Sequence, residues 1–423
     1  MDHRAKVLDF GDDEGTEYAI LSHRWGRKEV SYDEMVELTK MAAEERDEIR
    51  QHDGYRKILQ SCEQAQKDGY EWLWVDTCCI DKRSSAELSE AINSMYRWYE
   101  SAKVCYAYLH DVPGPWFPNR GDDERYPNFR GWPEWFSRGW TLQELIAPSN
   151  VQFLNKNWRS IGNKRMLAST LRNITGIPER ILKYGLRGNR PCVAQIMSWA
   201  VHRTTTRVED RAYSLMGLLD VNMPMLYGEG KKAFHRLQLE IIRASNDQSI
   251  FAWDRNGRTG SILADHPSCF RSCGRMELMG HGELIQKFLE KHAPEEEQDP
   301  LGTFQITCHG IQIWLLLRSI HGSRTLFEAW LPCRRGLFDS PVTIHLALCE
   351  YSYYRCPVLY FGLSPLEAPA LSDWPETIVY VYATHFFISL SRLLMMNSGT
   401  PKKWSVAGRW TTIDARRYSR KLT

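Results

Sequence analysis

WLWVDTCCIDKRSSAELSEAINSMYRWYESAKVCYAYLHDV, residues 72–112, decides the fold. It holds two apolar runs on either side of one amphipathic stretch. Tyr70–Ile80 carries no charge between Glu71 and Asp76, as expected of a strand buried on both faces of a sheet. Ser84 followed by Glu87 is a capping-box pattern that opens a helix. Leu88, Ile92, Met95, Tyr99 and Ala102 then share one helical face. Val104–Leu109 reads as the next strand. Strand, helix and strand in this order predict parallel pairing.

The same alternation extends outward. Tyr18–Trp25 (YAILSHRW) reads as an earlier strand, and residues 33–68 as charged helix with Ile58, Cys62 and Ala65 at helical spacing. Residues 111–135 are rich in Pro, Gly and Trp and read as an ordered loop. Trp140–Ile146 reads as a short helix and Val151–Leu154 as a further strand. The expectation is an α/β N-terminal domain with a parallel sheet over residues 1–160. A helical middle segment follows over 161–254, with its clearest pieces at Val208–Leu219 and Glu229–Ala244. Phe234, Leu237 and Ile241 lie on one face of the second piece, and the turn-forming Asn222–Gly230 joins the two. Residues 255–423 are expected to form a β-rich C-terminal domain. Its strand-like runs are Thr303–Leu317, Thr325–Pro332, Val342–Tyr351 and Thr377–Ser389, with Ala293–Pro300 as an acidic exposed loop.

The 423 residues are 43% hydrophobic and 25% charged, enough for two or three globular domains. A net charge of +2 makes no bulk electrostatic case for nucleic acid or a membrane surface. Pro401–Thr423 is basic, with seven Lys or Arg and one acid, and reads as a solvated tail. The longest apolar run, Thr377–Leu390, is too short to span a bilayer. The N-terminus is charged from its second residue and the eleven Cys are an odd, scattered set, so a reduced, cytoplasmic setting is expected.

Adjacent Cys78 and Cys79 would point to opposite faces of a strand, which suits buried structural thiols better than a shared ion. His266, Cys269 and Cys273 have loose ligand spacing but no fourth ligand, and no metal is expected. Gly228-Glu229-Gly230-Lys231 lacks P-loop spacing and reads as a turn entering a helix. Glu209-Asp210-Arg211 suits a helix start, or a contact docking the helical segment onto the first domain.

YAILSHRWG (18–26), the 72–112 stretch and FSRGWTLQELIAPSNVQFLNKNW (136–158) resemble the three signature blocks of the fungal heterokaryon-incompatibility (HET) domain. RVEDRAYSLMGLLDVNMPMLYGEGKKAFHRLQLEII (207–242) is similar to the segment that commonly follows it. Arg24 stands where a small residue such as Thr is usual. The order of blocks also resembles a TIR domain, which implies a flavodoxin-like parallel sheet. The matching parts are Leu21-Ser22-His23, Trp74–Asp81, Ala91-Ile92, Val104–Leu109 and Ser137…Trp140-Thr141-Leu142-Gln143-Glu144-Leu145. Trp140-Thr141 replaces a Trp-Cys pair, with one extra residue after Ser137.

In TIR enzymes that split NAD the corresponding Glu is catalytic, so the resemblance implies catalysis by Glu144 and NAD as substrate rather than as a bound cofactor. It also implies self-association, and a role in non-self recognition and cell death triggered by an unknown protein. The chemistry needs little. Breaking the nicotinamide–ribose bond passes through an oxocarbenium-like state, which one carboxylate can stabilise. In an open α/β sheet the loops at the carboxyl ends of strands would gather the candidates. These are Ser22, His23, Arg24 and Trp25, then Asp76 and Asp81, then Ser137, Arg138, Trp140 and Glu144. Arg24 or Arg138 could pair a pyrophosphate. Each residue has a plainer role as well. Glu144 suits the first turn of its helix, Ser22 and His23 a strand end, Asp76 and Asp81 a turn, and the tryptophans the core. A domain that triggers death by assembling partners fits the same blocks. So does an inactive relative whose pocket is blocked by Arg24 or by the 111–135 loop.

Overall fold

The computed structural model describes residues 16–41, 52–188, 190–254, 261–292, 304–307, 310–336, 340–349, 352–355 and 379–384. Two compact units divide the chain. The first comprises residues 1–256, 263–280 and 332–342, and the second 257–262, 281–331 and 343–423.

A five-stranded sheet organises the start of the first unit. Its strands are β1 (Tyr18–His23), β2 (Trp72–Trp74), β3 (Val104–Tyr108), β4 (Val151–Leu154) and β5 (Ser160–Asn163), in the order β2-β1-β3-β4-β5. β1 pairs in parallel with β2 and β3, and β3 in parallel with β4. All six residues of β1 are buried, as its apolar run requires. The strand order reverses between β1 and β3, which is where doubly wound sheets open a crevice at their carboxyl ends. The helices near this sheet are α1 (Tyr32–Lys40), α2 (Asp53–Lys67), α3 (Ser85–Ser101) and α4 (Thr141–Ile146). Ala19, Leu21, Val104 and Tyr106 pack with Met35, Leu38, Tyr55 and Ile58 in one core cluster.

Several elements differ from the sequence expectation. β2 ends at Trp74 rather than continuing to Ile80. Beyond it Cys78 N and Cys79 N both bond Val75 O, at 3.3 and 2.9 Å, and Asp76-Thr77 lies in a turn. Val75, Cys78 and Ile80 are buried nonetheless, so the uncharged run marks a buried turn. Only half of the expected capping box forms. Ser84 accepts from Glu87 N, but the Glu87 carboxylate takes Asp81 N at 2.8 Å. The complete box is at α1, between Ser31 and Glu34. β5 is an antiparallel hairpin partner of β4 that the sequence reading lacked. Its turn is held by Asn155, whose Oδ1 accepts from Asn157 N and Arg159 N at 3.0 Å each. The 111–135 loop is tied down at Gly131, where φ is +79° and a Cβ would fall 2.5 Å from Asp122 N.

The middle segment is helical: α5 (Ala168–Thr175), α6 (Glu179–Tyr184), α7 (Val193–Ser198), α8 (Asp210–Tyr213), α9 (Met216–Leu219) and α10 (Lys232–Ala244). Val208–Leu219 is thus two short helices rather than one. Before the chain leaves the first unit, β6 (Met276–Leu278) pairs antiparallel with Cys333–Arg335.

The second unit holds α11 (His281–His292), β7 (Phe304–Thr307) and β8 (Gly310–Ser319). β9 (Leu326–Arg335) and β10 (Pro341–Cys349) each enter it over part of their length, and β11 (Ser352–Arg355) and β12 (Val379–Thr384) lie within it. The β7–β8, β8–β9 and β10–β11 pairs are antiparallel, and β12 is parallel to β8. Phe288 meets Trp330 edge to face at 5.2 Å. The Ala293–Pro300 loop and the Pro401–Thr423 tail lie outside the described residues, as does Thr377–Leu390 apart from β12. Among the described residues no helix is long and apolar enough to cross a membrane.

Candidate active site

Ser22 and His23 end β1, opposite Ala107 and Tyr108 of β3, at the carboxyl edge where the strand order reverses. A 3-10 turn, Glu134–Ser137, leads into α4, which brings Glu144 to the same edge. Ser22 Oγ lies 2.5 Å from Glu144 Oε2 and 2.8 Å from Trp135 Nε1. An indole N–H can only donate, so the Ser22 hydroxyl accepts from Trp135 and gives its own hydrogen to Glu144 Oε2. Oε1 is then the oxygen that holds or loses the carboxyl proton.

Glu144 is only 4% exposed. Burial pushes its carboxyl up to about 8, and the Asp76 charge adds to the effect. The Ser22 hydrogen bond and the charges of Arg138 and Arg203 oppose it. The group therefore changes charge near neutral pH, which is uncommon for a carboxyl and useful to catalysis. Its helix is held at both ends. Thr141 Oγ1 bonds Trp135 O at 2.7 Å. Buried Lys164 donates from Nζ to the carbonyls of Leu145 at 3.1 Å, Ile146 at 3.3 Å and Pro148, closing the last turn.

His23 is buried between two carboxylates. Its Nε2 is 3.7 Å from Glu29 Oε2 and its Nδ1 3.8 Å from Asp76 Oδ1. Burial lowers the ring's pKa, against the two carboxylates, which raise it. Burial also works against ionisation of Glu29, but the His23 ring and Lys57 Nζ, 2.6 Å from Oε1, outweigh it and hold that carboxyl at about 2. Asp76 Oδ2 accepts from Trp25 Nε1 at 2.9 Å. The Trp25 ring is partly exposed above this pair, with Lys82 Nζ 4.0 Å from its centroid and the Arg138 guanidinium 5.8 Å away.

Six of the ten sequence candidates thus meet: Ser22, His23, Trp25, Asp76, Glu144 and, at the rim, Arg138. The other four point elsewhere. The Asp81 carboxylate is taken by Arg83, at 2.9 and 2.7 Å. Arg24 pairs with Glu134. Ser137 Oγ donates to Glu134 O at 2.6 Å, and Trp140 bonds Asp210. Cys78 belongs to the core cluster, and Cys79 Sγ accepts from Val75 N at 3.3 Å. His266 Nδ1 accepts from Ser268 N at 3.0 Å as a helix cap. Sequence reasoning missed Glu29, Lys57, Trp135 and Arg203. The first two lie in ordinary charged stretches, and Trp135 and Arg203 carry no local pattern that separates them from other Trp and Arg residues.

Comparison with known proteins covers the part of this site that holds Ser22, His23, Trp25 and Asp76. The family described as heterokaryon incompatibility protein (HET) matches residues 18–113, and a domain of unknown function, DUF8212, matches residues 232–259. Vegetative incompatibility protein HET-E-1 of Podospora anserina is 44% identical over 234 residues. That alignment covers 53% of this chain and 16% of the relative, so the chain spans less than a fifth of the relative's length. No solved structure matches the chain. β1, β2, α3 and β3 all fall inside the matched segment, so residues 18–113 of this chain match the heterokaryon incompatibility (HET) domain family.

Proposed function

We propose that this protein acts in heterokaryon, or vegetative, incompatibility as a cell-death effector, and that its N-terminal domain does so by hydrolysing NAD. The incompatibility role rests on the HET match and on the likeness to HET-E-1. The observation that carries the chemical reading is the Ser22–Glu144 pair at the β1/β3 edge.

In the proposed step the C–N bond between ribose and nicotinamide breaks, and nicotinamide leaves with the bonding pair as a neutral molecule. Positive charge develops on the ribose ring, and Glu144 in its carboxylate form stabilises it. Water then adds at the anomeric carbon and releases a proton. A cationic nicotinamide entering the site favours loss of the Oε1 proton from Glu144, because an adjacent positive charge stabilises the carboxylate. Ser22 fixes the carboxyl's orientation, Trp25 offers a partly exposed ring at the rim, and Arg138 supplies positive charge for the phosphates. Self-association of the domain belongs to this reading, as does an upstream protein trigger.

The test is nicotinamide release from NAD by purified protein, at concentrations that allow self-association. Wild type releases nicotinamide and Glu144→Ala does not. No release by wild type, or equal release by Glu144→Ala, sinks the enzymatic reading. The near-complete burial of Glu144 favours a second reading, in which the carboxyl is a structural group and the domain kills by assembling partners. Retained toxicity of an overexpressed Glu144→Ala variant selects that one.

A further inference from the structure

The helical middle segment grips the residues that carry Glu144. Thr204 N donates to Ser137 O at 2.6 Å and Gly139 N to Thr204 O at 2.9 Å, a backbone bridge between the two segments. Glycine lets them meet, since a Cβ at 139 would lie 2.5 Å from Thr205 Cγ2 and 3.1 Å from Ser214 Oγ. At the centre is Arg203, 7% exposed. Its NH1 donates to Arg138 O and to Thr141 Oγ1, at 2.8 Å each. Thr141 opens α4 one turn ahead of Glu144.

A buried guanidinium is costly unless an opposite charge answers it. Arg203 bonds only neutral oxygens, and its NH2 is buried without a hydrogen-bond partner. The acid that supports its charge is Glu144. We infer that Arg203 is a positioning residue for the Glu144 site: its guanidinium, supplied by the helical middle segment, locks the first turn of α4 and holds positive charge on the Glu144 carboxyl's side of that helix. The middle segment is then part of the site rather than an accessory to it. The inference rests on Glu144 being the reacting carboxyl, and its test has a readout that does not need turnover.

The experiment is an infrared titration of the full chain, with Glu144→Gln used to assign the Glu144 carboxyl band. It compares wild type, Arg203→Gln and Arg203→Lys. Arg203→Gln keeps hydrogen-bond donors but loses the charge, and is expected to move Glu144 ionisation upward by about one pH unit. That lowers the carboxylate fraction near neutral pH about tenfold. Arg203→Lys keeps the charge but loses the fork, and is expected to shift less in the same direction. Nicotinamide release follows the same order and its pH profile moves with the titration. An Arg203→Gln titration that superposes on wild type overturns the assignment. If that variant does not fold, Arg203→Met, which also removes the charge, takes its place, and a titration of Arg203→Met that superposes on that of Arg203→Lys overturns the assignment. An upward shift in a protein that releases no nicotinamide upholds Arg203 and rejects the NAD reading, so the two failures are distinguishable.

Discussion

Replacing Glu144 with glutamine should flatten the pH dependence of stability. In the unfolded chain the Glu144 carboxyl ionises at its ordinary value of 4.5, and in the fold burial raises this to about 8. Between those values the folded protein holds a proton that the unfolded chain has released. Stability therefore falls as pH rises through this window. One pH unit is worth about 1.4 kcal/mol, so the loss attributable to this one group reaches about 5 kcal/mol at most. Glutamine resembles the protonated carboxyl in shape and can still accept from Ser22 Oγ, but it does not titrate. The assay is urea unfolding of wild type and Glu144→Gln at intervals from pH 4 to pH 9. The difference between the two cancels every group they share. The variants should match near pH 4, and Glu144→Gln should become the more stable by several kcal/mol above pH 8. Parallel curves across the range would refute the reasoning, because they would mean that Glu144 ionises equally easily in both states.

Three further outcomes follow from the same geometry. Ser22→Ala leaves Trp135 Nε1 and Glu144 Oε2 without their shared partner, and should cost about 1–3 kcal/mol in thermal or urea unfolding while raising the pH at which Glu144 ionises. The Glu29 carboxylate, held at about 2 in the fold, stabilises the protein above its ordinary value of 4.5. That contribution drains away as pH falls from 4.5 towards 2, so Glu29→Gln should show a shallower loss of stability on acidification. Gly217→Ala places a Cβ 2.2 Å from Tyr96 Cβ, between α9 and α3, and the stem of a helical side chain cannot swing aside. A loss of about 1–3 kcal/mol is expected in the same unfolding assays.

Much of the fold is legible in the sequence because burial leaves a pattern. β1 and β3 are uncharged and buried almost throughout, and α3 shows its inner face through Ala91, Ile92, Met95 and Tyr99. The Tyr70–Ile80 run misleads for a physical reason. Absence of charge reports burial, and a turn tucked under a sheet is as buried as a strand. β5 is hard to see because its SIGN residues are short and half exposed, and its place is set by Asn155 in the preceding turn. At the site, Glu144 and Ser22 are legible through the family blocks that hold them. Glu29, Lys57 and Arg203 are not. They lie 115, 87 and 59 positions from Glu144 in sequence, and each is given meaning only by what the fold sets beside it. Asp81 and Arg24 show the converse, since both fall in the family blocks yet spend their charge on Arg83 and Glu134.

The most direct test of the account is the initial rate of nicotinamide release from NAD by the full chain, measured from pH 6 to pH 9. The account predicts release that rises with pH and levels off near the pH at which Glu144 ionises, about 8, and its loss in Glu144→Gln. A rate that is absent in wild type, or that persists unchanged in Glu144→Gln, would contradict it.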